Sequence, residues 1–462
     1  MLRLYNTLSR KIEDFSPISS PDVGIYSCGP TVYDFQHIGH MRRYVGDDIL
    51  VRVLQYDGYN VKQVMNITDV GHLVSDADEG EDKMEKGAKK FGMSVWEIAK
   101  KFETQFLESI DLLNIQRPSV LMHATDYIKD QIELIEILEE KGFTYKISDG
   151  IYFDTSKFPN YTHLSRQNLD EIKAGARVEM IKGKKNPSDF ALWKFSPKNS
   201  KRQMEWDSPW GKGFPGWHLE CSAMSMRELG PTFDIHTGGI DHINIHHTNE
   251  IAQSEAASGR KFVNYWVHHA FLMIEDEKMS KSLGNLYTVE DIVKKGFNPL
   301  ALRYLYLQTH YRQEMNFTFK ALQAAQSALN KLYEEVSSWD KPKIGCAGLE
   351  NDFFEAINDD LNMPKALAVL WETVKSDYPS SAKAETLFKF DKVLGLKLAE
   401  VKKRLKNEDI PQEVLKLVKE RESLRKQKRF HLADQLRNKI KKLGFEIEDK
   451  ESGAKITPLD KK

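Results

Sequence analysis

Apolar and polar positions in the first half of the chain predict short buried strands that alternate with helices. The run Val23–Cys28 is apolar and ends at a Gly-Pro pair, which is typical of a buried strand. The segment after His40 has the pattern of a helix that continues to Leu54, and Val61–Ile67 has the pattern of the next strand. This β-α-β order predicts an α/β fold with a parallel, doubly wound sheet.

The β-α pattern is interrupted once and then resumes. Ser94 and Glu97 form a capping box ahead of a helix, and Asp126–Lys141 predicts another helix. From about Gly150 to Gly213, short strand patterns mix with basic, Pro-containing and Gly-containing loops, as an inserted domain would show. The pattern then returns in the helix Gly216–Leu229, the strand Phe233–His236, the helix His246–Ala257 and the strand Phe262–Val267.

The chain from Phe319 to about Ala399 has the spacing of a helical bundle. Apolar residues recur there at intervals of three and four positions, which predicts one buried helix face: Leu322, Ala325, Leu329, Leu332 and Val336. Residues 401–462 then carry 19 basic and 11 acidic residues, a net charge of +8 in a chain whose total is −1. Such a tail is either a surface for a polyanion or a solvated lysine-rich helix.

Composition and cysteine count narrow the class of protein. The 462 residues are 40% hydrophobic and 29% charged, which predicts a soluble globular protein of about two to four domains. No apolar run approaches the roughly 20 residues of a membrane-spanning helix, and the first residues lack the pattern of a signal peptide. Cys28, Cys221 and Cys346 are too few for a disulfide framework. We therefore expect a cytoplasmic protein with no membrane partner and with thiols free for metal binding.

Two motifs, His37–His40 and Lys278–Ser282, suggest nucleotide chemistry. The first opens a predicted helix, whose free N–H groups and partial positive charge suit phosphate. Imidazoles there can donate hydrogen bonds to phosphoryl oxygens, and Gly39 lets a base or ribose approach the backbone. The second has the small and basic residues of a loop that closes over a polyphosphate. Each motif alone is explained as well by a helix cap or a lysine turn, whereas the two together favour a nucleoside triphosphate.

Four residues, Cys28, Cys221, His246 and Glu250, are candidate ligands of one metal ion. His246 and Glu250 lie four positions apart on a predicted helix and so share a face. Cysteine, histidine and carboxylate ligands fit Zn²⁺, and a site that also takes a substrate is catalytic rather than structural. His247 is an alternative ligand, and a buried cysteine can instead be a small hydrophobe. The other histidines of this region are expected in the core or beside the ligands: His242, His268 and His269.

The segment Gly238–Asp241 follows a predicted strand. Its glycines allow close approach of the backbone to a ligand, and Asp241 could accept hydrogen bonds from ribose hydroxyls. A tight turn after the strand explains the segment equally well.

Together these residues resemble the cysteinyl-tRNA synthetases, a family of class I aminoacyl-tRNA synthetases, over nearly the whole chain. His37–His40 and Lys278–Ser282 match the two class I signatures. The other matching segments are Tyr26–Asp34 and Gly216–Met224 with one cysteine each, His246–Gln253 with the histidine and glutamate, Asn358–Pro364 in the predicted bundle, and Ala433–Arg437 near the end. No single motif is decisive, whereas the ordered set is very specific.

The resemblance implies the site chemistry. One Zn²⁺ per chain would be held by Cys28, Cys221, His246 and Glu250 and would bind the substrate thiolate, and Mg²⁺ would accompany ATP. The residues expected around ATP are His37, Gly39, His40, Gly238, Gly239, Asp241, Lys278 and Lys281. Of these, the catalytic ones are His37, His40, Lys278 and Lys281. The residues expected around cysteine are Gly29, Thr68, Trp217 and His236. The expected partners of this monomer are tRNA(Cys), ATP and L-cysteine.

The resemblance also implies a domain order. A class I Rossmann-type catalytic domain is expected in two halves, residues 1–122 and 216–270, around an inserted connective domain at 123–215. Three further regions are expected to follow: a stem-contact region with the signature loop (271–318), a helical bundle on the anticodon side of the tRNA (319–400), and a small basic C-terminal domain (401–462).

The chain departs from the family pattern at four places. Gly71-His72-Leu73 stands where an Asp-Asp-Lys run is common, Thr248 stands for an acidic residue, and Phe214 stands for an arginine. The final segment, Gly453–Thr457, lacks the tryptophan that commonly follows it.

Two rival functions are compatible with parts of this pattern. A ligase that joins cysteine to an amino sugar through the same adenylate would not need the residues after Phe319. A non-catalytic tRNA-binding paralogue should have lost some signature residues, yet both signatures and all four candidate ligands are present.

Overall fold

The computed structural model describes residues 1–71, 82–168, 181–197, 202–274, 277–278, 286–401, 412–427, 429–450 and 453–458. These residues form two compact units, residues 1–398 and residues 399–462. Each unit has its own apolar core and is described by itself.

The first unit mixes strands and helices along its length. Its strands are β1 (Arg3–Asn6), β2 (Lys11–Asp14), β3 (Asp22–Ser27), β4 (Asn60–Ile67), β5 (Val120–His123), β6 (Thr144–Ile147), β7 (Gly150–Phe153), β8 (Phe190–Phe195), β9 (Gly213–Pro215), β10 (Phe233–Gly239), β11 (Val263–His269), β12 (Leu272–Ile274), β13 (Glu277–Lys278) and β14 (Met315–Phe317). Its helices are α1 (Ile38–Tyr56), α2 (Lys83–Phe91), α3 (Val95–Leu112), α4 (Ile128–Glu140), α5 (Trp217–Leu229), α6 (His246–Ser258), α7 (Val289–Lys294), α8 (Pro299–Leu307), α9 (Phe319–Ser338), α10 (Ala347–Asn358), α11 (Met363–Lys375) and α12 (Ser380–Leu394).

A parallel sheet of order β11-β10-β3-β4-β5 forms the centre of this unit. The chain proceeds outward from β3 through β4 to β5 and later returns to the other side of β3 for β10 and β11. This reversal between β3 and β10 is a topological switch point, where an α/β sheet opens a crevice at the carboxyl ends of its strands. The predicted doubly wound α/β fold is confirmed.

Both faces of the sheet are buried, which explains the nearly continuous apolar runs of its strands. Ile25 of β3 belongs to one apolar cluster with Ile49 of α1 and Phe102 of α3. The next residue, Tyr26, belongs to a second cluster with Leu219 of α5. Because successive side chains of a strand point to opposite faces, these two clusters cover the two sides of the sheet.

Between α4 and α5 the chain forms an antiparallel sheet of order β6-β7-β8-β9. The sequence pattern places the start of the interruption at about Gly150, whereas the sheet begins at Thr144. The difference arises because Thr144–Ile147 pairs with Gly150–Phe153 as a hairpin. Strand β9 then leads directly into α5, where Gly216 is the N-cap residue. The inserted sheet thereby sets the start of a helix that returns to the central sheet.

The last part of the first unit is helical. The buried face of α9 consists of the five residues that the spacing predicts, Leu322, Ala325, Leu329, Leu332 and Val336. In α8, the fully buried guanidinium of Arg303 donates to Asp48 Oδ2 at 2.6 Å and to the carbonyls of Leu113 and Leu394 at 3.1 and 2.6 Å. Arg303 thus joins α1 of the sheet region to α12 of the bundle.

The second unit contains α13 (Gln412–Lys426), α14 (Phe430–Lys442), β15 (Phe445–Lys450) and β16 (Gly453–Pro458). Strands β15 and β16 pair as an antiparallel hairpin. A small core holds these elements together, formed by Val414, Leu417, Val418, Ile440 and Ile447. Across both units, no described helix has the length and apolar character needed to cross a membrane.

Candidate metal and nucleotide site

A cavity of about 490 Å³ opens at the carboxyl ends of β3 and β10, at the switch point of the sheet. Most of the sequence-predicted site residues line it: Cys28, Gly29, His37, Gly39, His40, Thr68, Trp217, Cys221, Gly239, Asp241 and His246. Glu250 and His236 are fully buried behind this wall, and Gly238 precedes Gly239 at the end of β10. The fold therefore brings together residues that lie up to about 220 positions apart in the chain.

The candidate metal ligands Cys28, Cys221, His246 and Glu250 converge beside the cavity. Their ligand atoms lie within 4.8 Å of one another, and all four residues are buried. Cys28 directly follows β3, Cys221 lies on α5, and His246 and Glu250 lie one turn apart on α6. Among the described residues Glu250 Oε1 has no hydrogen-bond partner, although His246 Nε2 lies 3.0 Å from it. Four electron-pair donors that face each other with one carboxylate oxygen unsatisfied fit a metal ion.

A second set of ligands overlaps the first. Cys28, His236, His247 and Glu250 also converge within 4.8 Å, so the sequence alternative His247 is within reach of the same metal. Three residues of the first set line the cavity, Cys28, Cys221 and His246, whereas Cys28 alone of the second set does. A metal held by the first set would therefore be the more accessible to a substrate in the cavity.

Ionisation of the ligands also suits a metal. Burial opposes a charge on Cys28, but hydrogen bonding with Cys221 and the nearby His247 lower the pKa of its thiol well below the ordinary value. Burial and the neighbouring Cys28 raise the pKa of Cys221. Burial also opposes a charge on His246, but Glu250 and Cys28 raise the pKa of its imidazole to about 10. In the metal-free protein the thiols and imidazoles thus share protons that a metal ion would displace.

The nucleotide motif His37–His40 lies at the N-terminus of α1, as predicted. His37 is the N-cap residue, and its Nδ1 accepts a hydrogen bond from the His40 amide at 3.3 Å. The two imidazole rings stack with centroids 3.5 Å apart. His40 is exposed at the cavity, but desolvation by the surrounding protein atoms, together with nearby His37 and Arg43, lowers the pKa of its imidazole well below the ordinary value. His40 is therefore neutral at pH 7 and suited to donate a hydrogen bond rather than to carry a charge.

The candidate cysteine-binding residues surround the metal set. The Thr68 hydroxyl donates to Glu220 Oε2 at 2.8 Å, and the Gly29 amide donates to Asn66 Oδ1 at 2.7 Å. A Cβ at Gly29 would lie 1.5 Å from the Asn66 carbonyl oxygen, so only glycine fits there. The Trp217 ring lies over His246, with centroids 4.4 Å apart.

Sequence reasoning assigned no role to His218 and Glu220, two buried polar residues of the site. His218 Nδ1 lies 2.9 Å from His246 Nδ1, and His236 Nε2 lies 2.9 Å from Glu250 Oε2. His247 Nδ1 lies 2.7 Å from His268 Nε2, which confirms His268 as a partner behind the ligands. The one sequence signal for His218 and Glu220 is their position next to Trp217 and Cys221 on the same helix.

The segment Gly238–Asp241 reaches the cavity at the end of β10. A Cβ at Gly238 would lie 2.5 Å from His247 Cε1, which requires glycine, and the Asp241 side chain is 58% exposed at the cavity. Met273 of β12 lines the cavity and pairs with Lys278 of β13. Lys281 and Met279–Ser282 lie outside the described residues.

Comparison with known proteins identifies the family of the chain. The sequence model of the family described as tRNA synthetases class I (C) catalytic domain matches residues 14–327. The chain is 48% identical to cysteine–tRNA ligase 1 of Burkholderia lata over 98% of this chain and 96% of that protein. It is 45% identical to cysteine–tRNA ligase of Treponema denticola over 97% of this chain and 98% of that protein.

Solved structures share the fold at low identity. Methionyl-tRNA synthetase of Mycobacterium tuberculosis, in complex with methionyl-adenylate, superposes with a TM-score of 0.54 at 15% identity over 82% of this chain and 90% of that chain. The LeuRS of Agrobacterium radiobacter, in a ternary complex with tRNA and LeuAMS, superposes with a TM-score of 0.58 at 13% identity over 85% and 86%. With near-complete coverage by relatives above 40% identity, the chain belongs to the class I cysteine–tRNA ligases.

Proposed function

We propose that this protein ligates L-cysteine to tRNA(Cys) with ATP through a cysteinyl-adenylate. The cysteine carboxylate attacks the α-phosphorus of ATP, and pyrophosphate leaves. The 2′-hydroxyl of the terminal tRNA ribose then attacks the adenylate carbonyl, and AMP leaves. The observation that carries the proposal is one cavity that is lined both by the His37–His40 helix start and by residues of a candidate metal-ligand set. The protein contributes positioning and electrostatics rather than a covalent intermediate.

Cys28, Cys221, His246 and Glu250 would hold one Zn²⁺, with His247 as the alternative ligand. A bound zinc ion supplies a soft Lewis acid that prefers the thiolate of cysteine to the hydroxyl of serine. Gly29, Thr68 and Trp217 line the same part of the cavity and would hold the rest of the amino acid. His236 would orient Glu250 through its hydrogen bond to that carboxylate.

ATP with Mg²⁺ would occupy the part of the cavity next to α1. His37, Gly39 and His40 would receive the phosphates at the helix N-terminus, where neutral His40 donates a hydrogen bond. Gly238, Gly239 and Asp241 would contact the ribose, because the strand end permits close approach there. Lys278 and Lys281 would supply positive charge to the β- and γ-phosphates during adenylate formation.

The tRNA would contact the regions after the catalytic halves 1–122 and 216–270: the stem-contact region 271–318, the bundle 319–400 and the basic domain 401–462. The inserted domain 123–215 would lie next to the amino acid, since β9 leads into the helix of Trp217 and Cys221. The monomeric state and the cytoplasmic location stay predictions.

The two rival functions are not supported. The relatives named cysteine–tRNA ligase match this chain through its whole length, including the part after Phe319 that an amino-sugar ligase would not need. A non-catalytic paralogue is disfavoured because the candidate ligands and the first signature lie together at one cavity.

The decisive experiment is ATP–pyrophosphate exchange with each amino acid in turn. We expect exchange to require cysteine, with serine and alanine poorer by about 10³-fold, because a bond that the analogue cannot make is lost outright. Removing the metal with a chelator should abolish most exchange, and added Zn²⁺ should restore it. Exchange with serine at a rate comparable to that with cysteine would refute thiol recognition.

A further inference from the structure

Arg43 is a cavity residue that no sequence motif singled out. It lies on α1, one turn after His40, and within the described part of the chain it is the one lysine or arginine that lines the cavity. Its guanidinium donates to the Cys28 carbonyl and to Asp47 Oδ2, the latter at 3.2 Å. Arg43 therefore lies between the metal ligand Cys28 and the helix start that carries His37 and His40.

The adenylation reaction brings two anionic groups into this part of the cavity. In cysteine only Cβ and Cα separate the sulfur from the carboxyl carbon, so a thiolate bound beside Cys28 and Cys221 keeps the carboxylate close to them. The α-phosphate that the carboxylate attacks belongs to a nucleotide at the start of α1. Like charges oppose this approach unless a cation lies beside them.

Arg43 contacts three protein groups: the Cys28 carbonyl, the Asp47 carboxylate and the Tyr44 ring, whose centroid lies 4.0 Å from the guanidinium carbon. Asp47, its ion-pair partner, is shared, since Asp47 Oδ1 lies 2.9 Å from His269 Nε2. A guanidinium has donors in a planar fork that matches a carboxylate. The protein atoms around the cavity, together with nearby His37 and Arg43, lower the pKa of His40 well below its ordinary value, although its side chain is exposed at the cavity. The permanent positive charge between the two binding regions is therefore that of Arg43.

We propose that Arg43 binds the carboxylate of the substrate cysteine and offsets its charge as it approaches the α-phosphate of ATP. The inference rests on the proposed function and adds one substrate-binding residue to it. It predicts that Arg43 distinguishes ligands by their carboxylate and not by their thiol.

Cysteamine, which keeps the thiol and the amine of cysteine but lacks the carboxylate, provides the test. In the zinc-loaded full-length enzyme, KM for cysteine in pyrophosphate exchange and Ki for cysteamine are measured for wild type, Arg43→Gln and Arg43→Lys. We expect Arg43→Gln to raise KM for cysteine by roughly 10- to 100-fold while Ki for cysteamine changes by less than about 3-fold. Arg43→Lys keeps the charge and loses the fork, so its KM should fall between the two. A similar change of both constants, or of neither, overturns the proposal.

Arg52→Gln is a matched control. Arg52 lies on the same helix and forms the same type of ion pair four positions away, with Asp48 at 2.8 Å, but it contacts the carbonyls of Lys392 and Asn114 instead of the cavity. Its variant should leave the ratio of the two constants unchanged.

The zinc content of Arg43→Gln distinguishes a role of Arg43 in binding the substrate from a role in supporting Cys28. Arg43→Gln should keep the zinc content of wild type, and loss of the metal would instead assign Arg43 to holding Cys28 and overturn the proposal. Failure of wild type to exchange cysteine would refute the proposed function itself. The Arg43 inference alone fails if wild type exchanges cysteine and Arg43→Gln leaves the ratio of KM for cysteine to Ki for cysteamine unchanged.

Discussion

The candidate metal ligands form two overlapping sets of buried residues. Cys28 and Glu250 belong to both overlapping sets of candidate ligands, whereas Cys221 and His246 belong only to the first set. Removal of Cys28 or Glu250 leaves neither set complete. After removal of Cys221 or His246, the second set, Cys28 and Glu250 with His236 and His247, is still complete.

This difference predicts a ranking of zinc loss. Cys28→Ser should lose nearly all bound zinc, whereas Cys221→Ser and His246→Ala should lose much of it and retain a fraction through His247. Elemental analysis of the purified variants measures the metal per chain. Cys346→Ser is the control, because Cys346 is a buried thiol outside both sets and should keep full zinc. Full retention in both Cys28→Ser and Cys221→Ser would contradict the assignment.

At the residue scale the sequence identified the four candidate ligands that the structure brings together, and it missed the polar residues beside them. Cysteine, histidine and glutamate in a chain with three cysteines carry a chemical signal that can be recognised without coordinates. His218, Glu220 and Asn66 carry no such signal, because their roles depend on which atoms of α5 and β4 meet across the interior. Arg43 was missed for the same reason, since only the turn of α1 places it at the cavity.

At the scale of elements, regular periodicity was enough to predict the central sheet, the capped helix α3 and the buried face of α9. The contact between the sheet region and the bundle could not be predicted. It depends on Arg303, one charged residue in the otherwise largely apolar helix α8, and on Asp48, which lies 255 positions away.

We predict that Arg303→Ala destabilises the first unit by about 3 kcal/mol or more, because it leaves buried carbonyls of α3 and α12 without donors and weakens a buried ion pair. Arg52 shares the partner Asp48, but its side chain is 10% exposed whereas that of Arg303 is fully buried, so Arg52→Ala should cost less than Arg303→Ala. Urea unfolding followed by tryptophan fluorescence measures both. Equal and small decreases in the free energy of unfolding of both variants would show that the first unit does not need the contacts of Arg303.

At the scale of the whole molecule, the adenylation residues and the basic tail belong to separate compact units. Every described residue assigned to cysteine or ATP lies in residues 1–398. Residues 401–462 hold the net charge of +8, part of it on the exposed last turn of α14 at Lys439, Lys441 and Lys442. Composition predicted this separation of charge, but it could not predict the small core that makes the tail a folded unit.

Deleting residues 399–462 should leave cysteine-dependent pyrophosphate exchange largely intact. It should weaken tRNA charging, mainly through a higher KM for tRNA, and make tRNA binding less sensitive to salt, because phosphate contacts are lost. A full-length variant with Lys439→Glu, Lys441→Glu and Lys442→Glu keeps the unit and should change KM in the same direction. Unaltered charging by both proteins would mean that the tail is only a solvated lysine-rich surface.

The position of β3 between β4 and β10 has a consequence for the newly made chain. Strand β4 can pair with β3 once Ile67 has left the ribosome. The other edge of β3 has no pairing strand until β10 has been synthesised as far as Gly239. At about 5–20 residues per second this interval lasts roughly 10 to 35 seconds. The inserted sheet β6–β9 can fold meanwhile, because its pairings are local, while an apolar strand edge stays open to other chains. The growing polypeptide is therefore most vulnerable to aggregation during synthesis of its inserted domain, and chaperone binding in that period should protect it most.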